Sequence, residues 1–189
     1  MLNTVLGTLS SGVAPVTSSY ESIATVTVGS GGSSTIDFTS IPSTYTHLQI
    51  RGIVRNTGST ADIDMYMQFN GDTASNYNWH FLYGINTTVG TGATANDVYI
   101  NSFRSTGASS TASIFGAGVV DILDYANTNK FKTTRLLTGN EQNASGSSLV
   151  LFESGAWRST SAITSIKFYF PTGSFAQYSQ LALYGIKGS

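Results

Sequence analysis

The chain has 189 residues, of which 9 are Lys or Arg and 10 are Asp or Glu, for a formal net charge of −1. Charged residues make up 10%, against roughly 25% in an average soluble domain, which leaves little electrostatic footing for nucleic acid or an anionic membrane. Cysteine is absent and 40% of residues are hydrophobic, so disulfides and thiolate metal sites are excluded and one domain with its own core is expected.

Ser, Thr, Gly and Asn take the place of the missing charge, with Gly alone contributing 20 residues. Gly, Ser and Asn favour turns, whereas Thr, Val, Ile and the aromatics favour a pleated, half-buried surface. Glu, Lys, Gln and Arg, the good helix formers, are scarce. The composition predicts an all-β domain with many polar loops. Met1 to Tyr20 carries no Lys or Arg and no apolar block of signal-peptide length, and no window reaches the ~20 apolar residues of a membrane helix. A protein soluble and made in the cytoplasm is expected, with no membrane or nucleic-acid partner and no cofactor.

Residues 1–19 are rich in small residues and end in a Ser/Thr stretch after Pro15. They read as an extended N-terminal arm, and residues 20–189 as a single domain. Leu2, Val5, Leu6 and Leu9 would be exposed on a monomer, so an arm that docks on a neighbouring subunit stands beside the plainer reading of a frayed end.

From Tyr20 the pattern has period two. In YESIATVTV, Ala24, Val26 and Val28 alternate with Ile23, Thr25 and Thr27. A GSGGSS turn precedes a short strand with Ile36 and Phe38. THLQIRGIVR puts Leu48, Ile50, Gly52 and Val54 on one face, and ADIDMYMQFN does the same with Ile63, Met65, Met67 and Phe69. After the Asn70-Gly71-Asp72 turn, NYNWHFLYG sets Tyr77, Trp79, Phe81 and Tyr83 on one face. The Thr- and Gly-rich stretch from Asn86 to Thr94 reads as a loop before the strand DVYINSF. SIFGAGVVDILDY is apolar on both faces and reads as a central strand buried on both sides. FKTTRLLTGN, SSLVLFESGAWR, AITSIKFYF and SQLALYGIKGS complete the set.

This makes roughly ten strands with no helix between them, which disfavours parallel βαβ folds and leaves a β-sandwich or a closed barrel. The expected fold is an antiparallel β-sandwich of jelly-roll type. In it Tyr20–Val28 should lie close to Leu181–Ile186.

Candidate chemistry is sparse. His47 and His80 stand on polar strand faces without the convergent ligands of a zinc site or the neighbours of a triad, and read as surface histidines. Asp62 and Asp64 project from one strand face about 6–7 Å apart. Such a pair could serve calcium or a glycosidic bond, but solvated polar faces are the simpler reading. GSGGSS lacks the Lys-Ser/Thr ending and the helix of a phosphate-binding loop. Tyr77, Trp79, Phe81, Tyr83, Trp157, Tyr169 and Tyr178 could form a stacking platform for sugars. Trp157, Tyr77 and Trp79 are the candidate glycan contacts, against a core role for the same rings.

Three short segments resemble, in order, small virion proteins of tailed bacteriophages. They are Ser40-Ile41-Pro42-Ser43-Thr44-Tyr45-Thr46-His47-Leu48 with Ile50-Arg51, then Phe69-Asn70-Gly71-Asp72 with Asn76-Tyr77, and finally Leu183-Tyr184-Gly185-Ile186. The resemblance implies a jelly-roll or sandwich module used as a capsid decoration (cement) protein, or as a tail or fibre component. It carries no catalytic motif, so no enzymatic activity is expected. The partners it implies are other virion proteins, major capsid or tail, and further copies of the chain in a symmetric homo-oligomer such as a trimer. The alternative is a tail module that binds a receptor or host surface glycan.

Overall fold

A computed structural model describes residues 18–142 and 148–188. All regular elements among them are strands. The first six are β1 (Tyr20–Thr27), β2 (Thr35–Phe38), β3 (His47–Val54), β4 (Asp62–Phe69), β5 (Tyr77–Ile85) and β6 (Thr88–Asp97). The second six are β7 (Ile100–Thr106), β8 (Gly116–Leu123), β9 (Lys132–Asn140), β10 (Leu149–Trp157), β11 (Ile166–Tyr169) and β12 (Gln180–Ile186).

They form two antiparallel sheets, one of eight strands in the order β1-β12-β3-β8-β9-β10-β5-β6 and one of four in the order β2-β11-β4-β7. Four nested pairs, β1–β12, β2–β11, β3–β8 and β4–β7, behave as one long hairpin rolled over on itself. That nesting is the jelly roll, with β1-β12-β3-β8 facing β2-β11-β4-β7. Two insertions, β5–β6 and β9–β10, then extend the first sheet from four strands to eight. The expected sandwich is the observed one, and β1 pairs with β12 from Tyr20↔Ile186 to Thr27↔Gln180.

The core follows the alternation. Leu48, Ile50 and Val54 from β3, Met65, Met67 and Phe69 from β4, and Leu181 and Leu183 from β12 are buried between the sheets. β1 departs from strict alternation because a bulge between Ser22 and Ala24 leaves Ile23 and Ala24 both half-buried.

Two sequence expectations change. The stretch from Asn86 to Thr94 is not a loop, since most of it belongs to edge strand β6, which pairs with β5 from Ile85↔Thr88 to Tyr77↔Asp97. Its Thr- and Gly-rich composition reads as a loop, but Gly90 and Gly92 lie beneath the rings of Tyr83 and Phe81. An edge-strand glycine gains from a covering aromatic. β8 is central, as expected, but buried on one face only, because nothing among the described residues covers Ala117 on its outer side.

Candidate interaction surface

The outer face of the eight-stranded sheet carries an ordered set of side chains. Strand register aligns Ala182, Arg51, Val119, Leu137, Phe152 and Leu82 into one rung across β12, β3, β8, β9, β10 and β5. The adjacent rung runs Gln180, Ile53, Ala117, Gly139, Val150, Gly84 and Val89. Ile53, Leu82, Val89, Leu137, Val150 and Phe152 are between 42% and 73% exposed. Each β-branched or aromatic side chain here satisfies strand propensity without reaching the core. Together they form a contiguous apolar band rather than scattered single residues.

A polar rung borders the band. Asp121 accepts hydrogen bonds from Gln49 Nε2 (2.7 Å) and from an Arg135 terminal nitrogen (2.8 Å). Its line continues through Ser154 to His80, which is exposed. His47, at the start of β3, accepts a hydrogen bond on Nδ1 from the Asp124 backbone N–H at 3.0 Å. The two histidines therefore stand on different strands, β3 and β5. Among the described residues no three His, Asp or Glu side chains converge as a metal site.

The residues singled out in sequence separate in space. Leu2, Val5, Leu6 and Leu9 lie outside the described residues. Tyr77 and Trp157 are interior, at 0% and 2% exposure, and stack on each other with centroids 6.4 Å apart and planes at 17°. The Trp157 indole N–H donates to Asp72 (2.7 Å), and the Tyr77 hydroxyl donates to the Asp72 carbonyl (3.0 Å). Asp72 follows the Asn70-Gly71 turn, where both residues have positive φ. Burial raises the Asp72 pKa, but bonds from Asn76, Trp157 and the Ala74 amide outweigh it and hold the carboxylate below its usual range. Tyr77 and Trp157 thus anchor a turn and offer no open ring face. Trp79 is different: it is half-buried and lines a cavity between the sheets. Tyr178 is exposed with φ 71°, well away from that strand, and Tyr169 packs edge-on against Tyr66.

Asp62 and Asp64 do share a face, and both accept from the guanidinium of Arg104 on β7. Burial works against the Arg104 charge, but the two carboxylates outweigh it and raise its pKa. Glu153 on β10 was not among the sequence candidates. It is 3% exposed, and neither carboxyl oxygen has a hydrogen-bond partner among the described residues. Burial, then the charge of Asp64, pushes its pKa up to about 9. A signal was present in the alternation, which puts Glu153 on the same face as Leu149, Leu151 and Trp157. Comparison with protein-family models and with curated proteins finds no match to this chain.

Proposed function

We propose that the chain is a structural protein of a bacteriophage virion, a capsid decoration protein that acts by surface contact. It packs the outer face of its eight-stranded sheet against copies of itself and against major capsid or tail proteins. One observation carries this reading, the two-rung apolar band on that face. Monomeric proteins rarely leave so continuous an apolar surface to water, and burying it stabilises an assembly by about 25 cal/mol per Å².

Two further features support the reading. The low charge limits repulsion between copies held at high local density. The described chain begins at Ser18, and β1 starts at Tyr20 beside the band. There the Tyr20 ring packs on Tyr184 at 5.9 Å with the Arg51 guanidinium 5.5 Å from its centre. A symmetric homo-oligomer such as a trimer would bring several bands and several arms together on one particle. The reading uses no catalytic group and no cofactor.

The test is the double substitution Leu137→Asp and Phe152→Asp, at neighbouring positions in the centre of the band. Both side chains are about half exposed, so circular dichroism should report an unchanged fold. Light scattering should show wild-type oligomers reduced to monomers, and the variant should be lost from purified particles. A monomeric wild-type protein, or normal incorporation of the variant, overturns the reading.

A further inference from the structure

The inner face of the large sheet is not fully covered. The small sheet ends at β7, which packs over β8 and β9 and only grazes β10 and β5. Beyond it a cavity of about 270 Å³ opens between β7 and the inserted strands. This volume lies just under the ~300 Å³ at which pockets for drug-sized ligands begin.

One wall is aromatic. Trp79, Phe81 and Tyr83 project from β5 at alternate positions, with successive ring centroids 5.4 and 5.8 Å apart and planes tilted by 31° and 26°. Phe81 and Tyr83 reach over Gly92 and Gly90 of β6, and a Cβ at either glycine would stand 2.5 Å from ring atoms. The absence of those two Cβ atoms is what lets the rings lie so low over the edge strand. All three rings remain half-buried rather than buried.

The opposite wall is polar. Asp64 and Arg104 line it, with Asp62 on the far side of the guanidinium. Two carboxylates facing one guanidinium leave this wall with one negative charge. Glu153 lies behind this wall rather than in it, because it is not a lining residue and both of its carboxyl oxygens are closed to solvent. Its carboxyl is near enough to Asp64 to feel that charge. Asn101, which also lines the cavity, adds an amide that can both donate and accept.

We propose that this cavity binds one ring of a neutral saccharide, with the sugar's C–H face on Trp79, Phe81 and Tyr83 and its hydroxyls on Asp64, Arg104 and Asn101. Apolar rings on one side and paired donors and acceptors on the other match the two-faced chemistry of a pyranose. The negative wall selects against uronic and sialic acids. An aliphatic ligand would leave the polar wall unpaired, which costs binding energy. The proposal is independent of the outer face, and its failure leaves the assembly reading untouched.

Calorimetric titration of the purified full chain with glucose, galactose, N-acetylglucosamine and glucuronic acid tests it. At least one neutral sugar should bind with millimolar Kd, and glucuronic acid should not. Phe81→Ala and Tyr83→Ala should each weaken binding about tenfold, the upper end of what one stacked ring contributes. Asn101→Ala, which removes one polar partner from the wall, should lose up to about tenfold. Circular dichroism checks each fold. If Asn101→Ala fails to fold, the half-buried Tyr83 decides. Absence of neutral-sugar binding at about 50 mM overturns the proposal, as does binding unchanged in the aromatic variants or equal affinity for glucuronic acid.

Discussion

Glu153 is a carboxyl group placed where its neighbours in the strand are Leu151, Gly155 and, further along, Leu149 and Trp157. Ionising it there is unfavourable, so its folded pKa, pushed up to about 9, lies far above the ordinary value of 4.5. The sign of the linkage follows. Below about pH 4.5 the group is protonated in both states and costs nothing through this route. Above it the unfolded chain releases the proton first, and stability falls until the folded pKa is passed. At pH 7 the loss is roughly 3 kcal/mol for one such group. Glu153→Gln should therefore unfold at nearly the same temperature as wild type at pH 4 and be clearly more stable at pH 8. Equal melting temperatures for the two proteins at pH 8 would show that Glu153 is ionised in the folded state. By contrast, the buried Lys132 has its amine supplied with acceptors, the carbonyls of Asn127, Lys130 and Thr160.

At the scale of elements, β6 is the instructive strand. Its sequence, TVGTGATAND, has two glycines and few apolar residues, so propensity argues against a strand. Pairing with β5 supplies the backbone hydrogen bonds, and the Phe81 and Tyr83 rings supply the cover that a glycine cannot. Gly92→Val should raise local β-propensity and yet destabilise the protein, because its side chain displaces the Phe81 ring. The cost should be about 1–3 kcal/mol, a drop of several degrees in thermal melting. A stabilised Gly92→Val protein would mean that the ring does not rest there. β8 and β9 pose the reverse case. Their outward residues Val119 and Leu137 have the composition of a core but face away from it.

For the whole molecule, the nested pairing puts sequence-distant strands side by side, so β1 and β12 close one end of the sheet that β6 ends at the other. The insertions make one sheet twice as wide as its partner, which leaves an apolar outer face and a partly open inner one. Association through the outer band should be apolar in character. Added sodium chloride should leave it undiminished, because few charges are there to be screened, and sulfate should strengthen it. Light scattering across a salt series checks this, and oligomers that dissociate as salt rises would point to ionic contacts. Truncation of residues 1–17, which keeps the Lys187 N–H bond to the Ser19 carbonyl, should leave the fold intact and reduce incorporation into particles. Full incorporation of the truncated protein would remove the arm from the assembly.

Period-two alternation in THLQIRGIVR, ADIDMYMQFN and SQLALYGIKGS was sufficient to place Leu48, Met65, Phe69 and Leu183 in a two-sheet core, because side-chain direction along a strand is a local property. The turn at Asn70-Gly71 was legible in its residue types, and the β1–β12 closure in the tendency of a sandwich's terminal strands to pair. Pairing order is not local. Which strand lies beside β5 decides whether Gly90 and Gly92 are loop residues or a seat for two rings, and where the small sheet stops decides whether Trp79 is core or cavity wall. Only tertiary contacts could separate Trp157, packed on Tyr77 and held by Asp72, from Trp79, because an aromatic residue on an inward face is compatible with either fate until the layer above it is known.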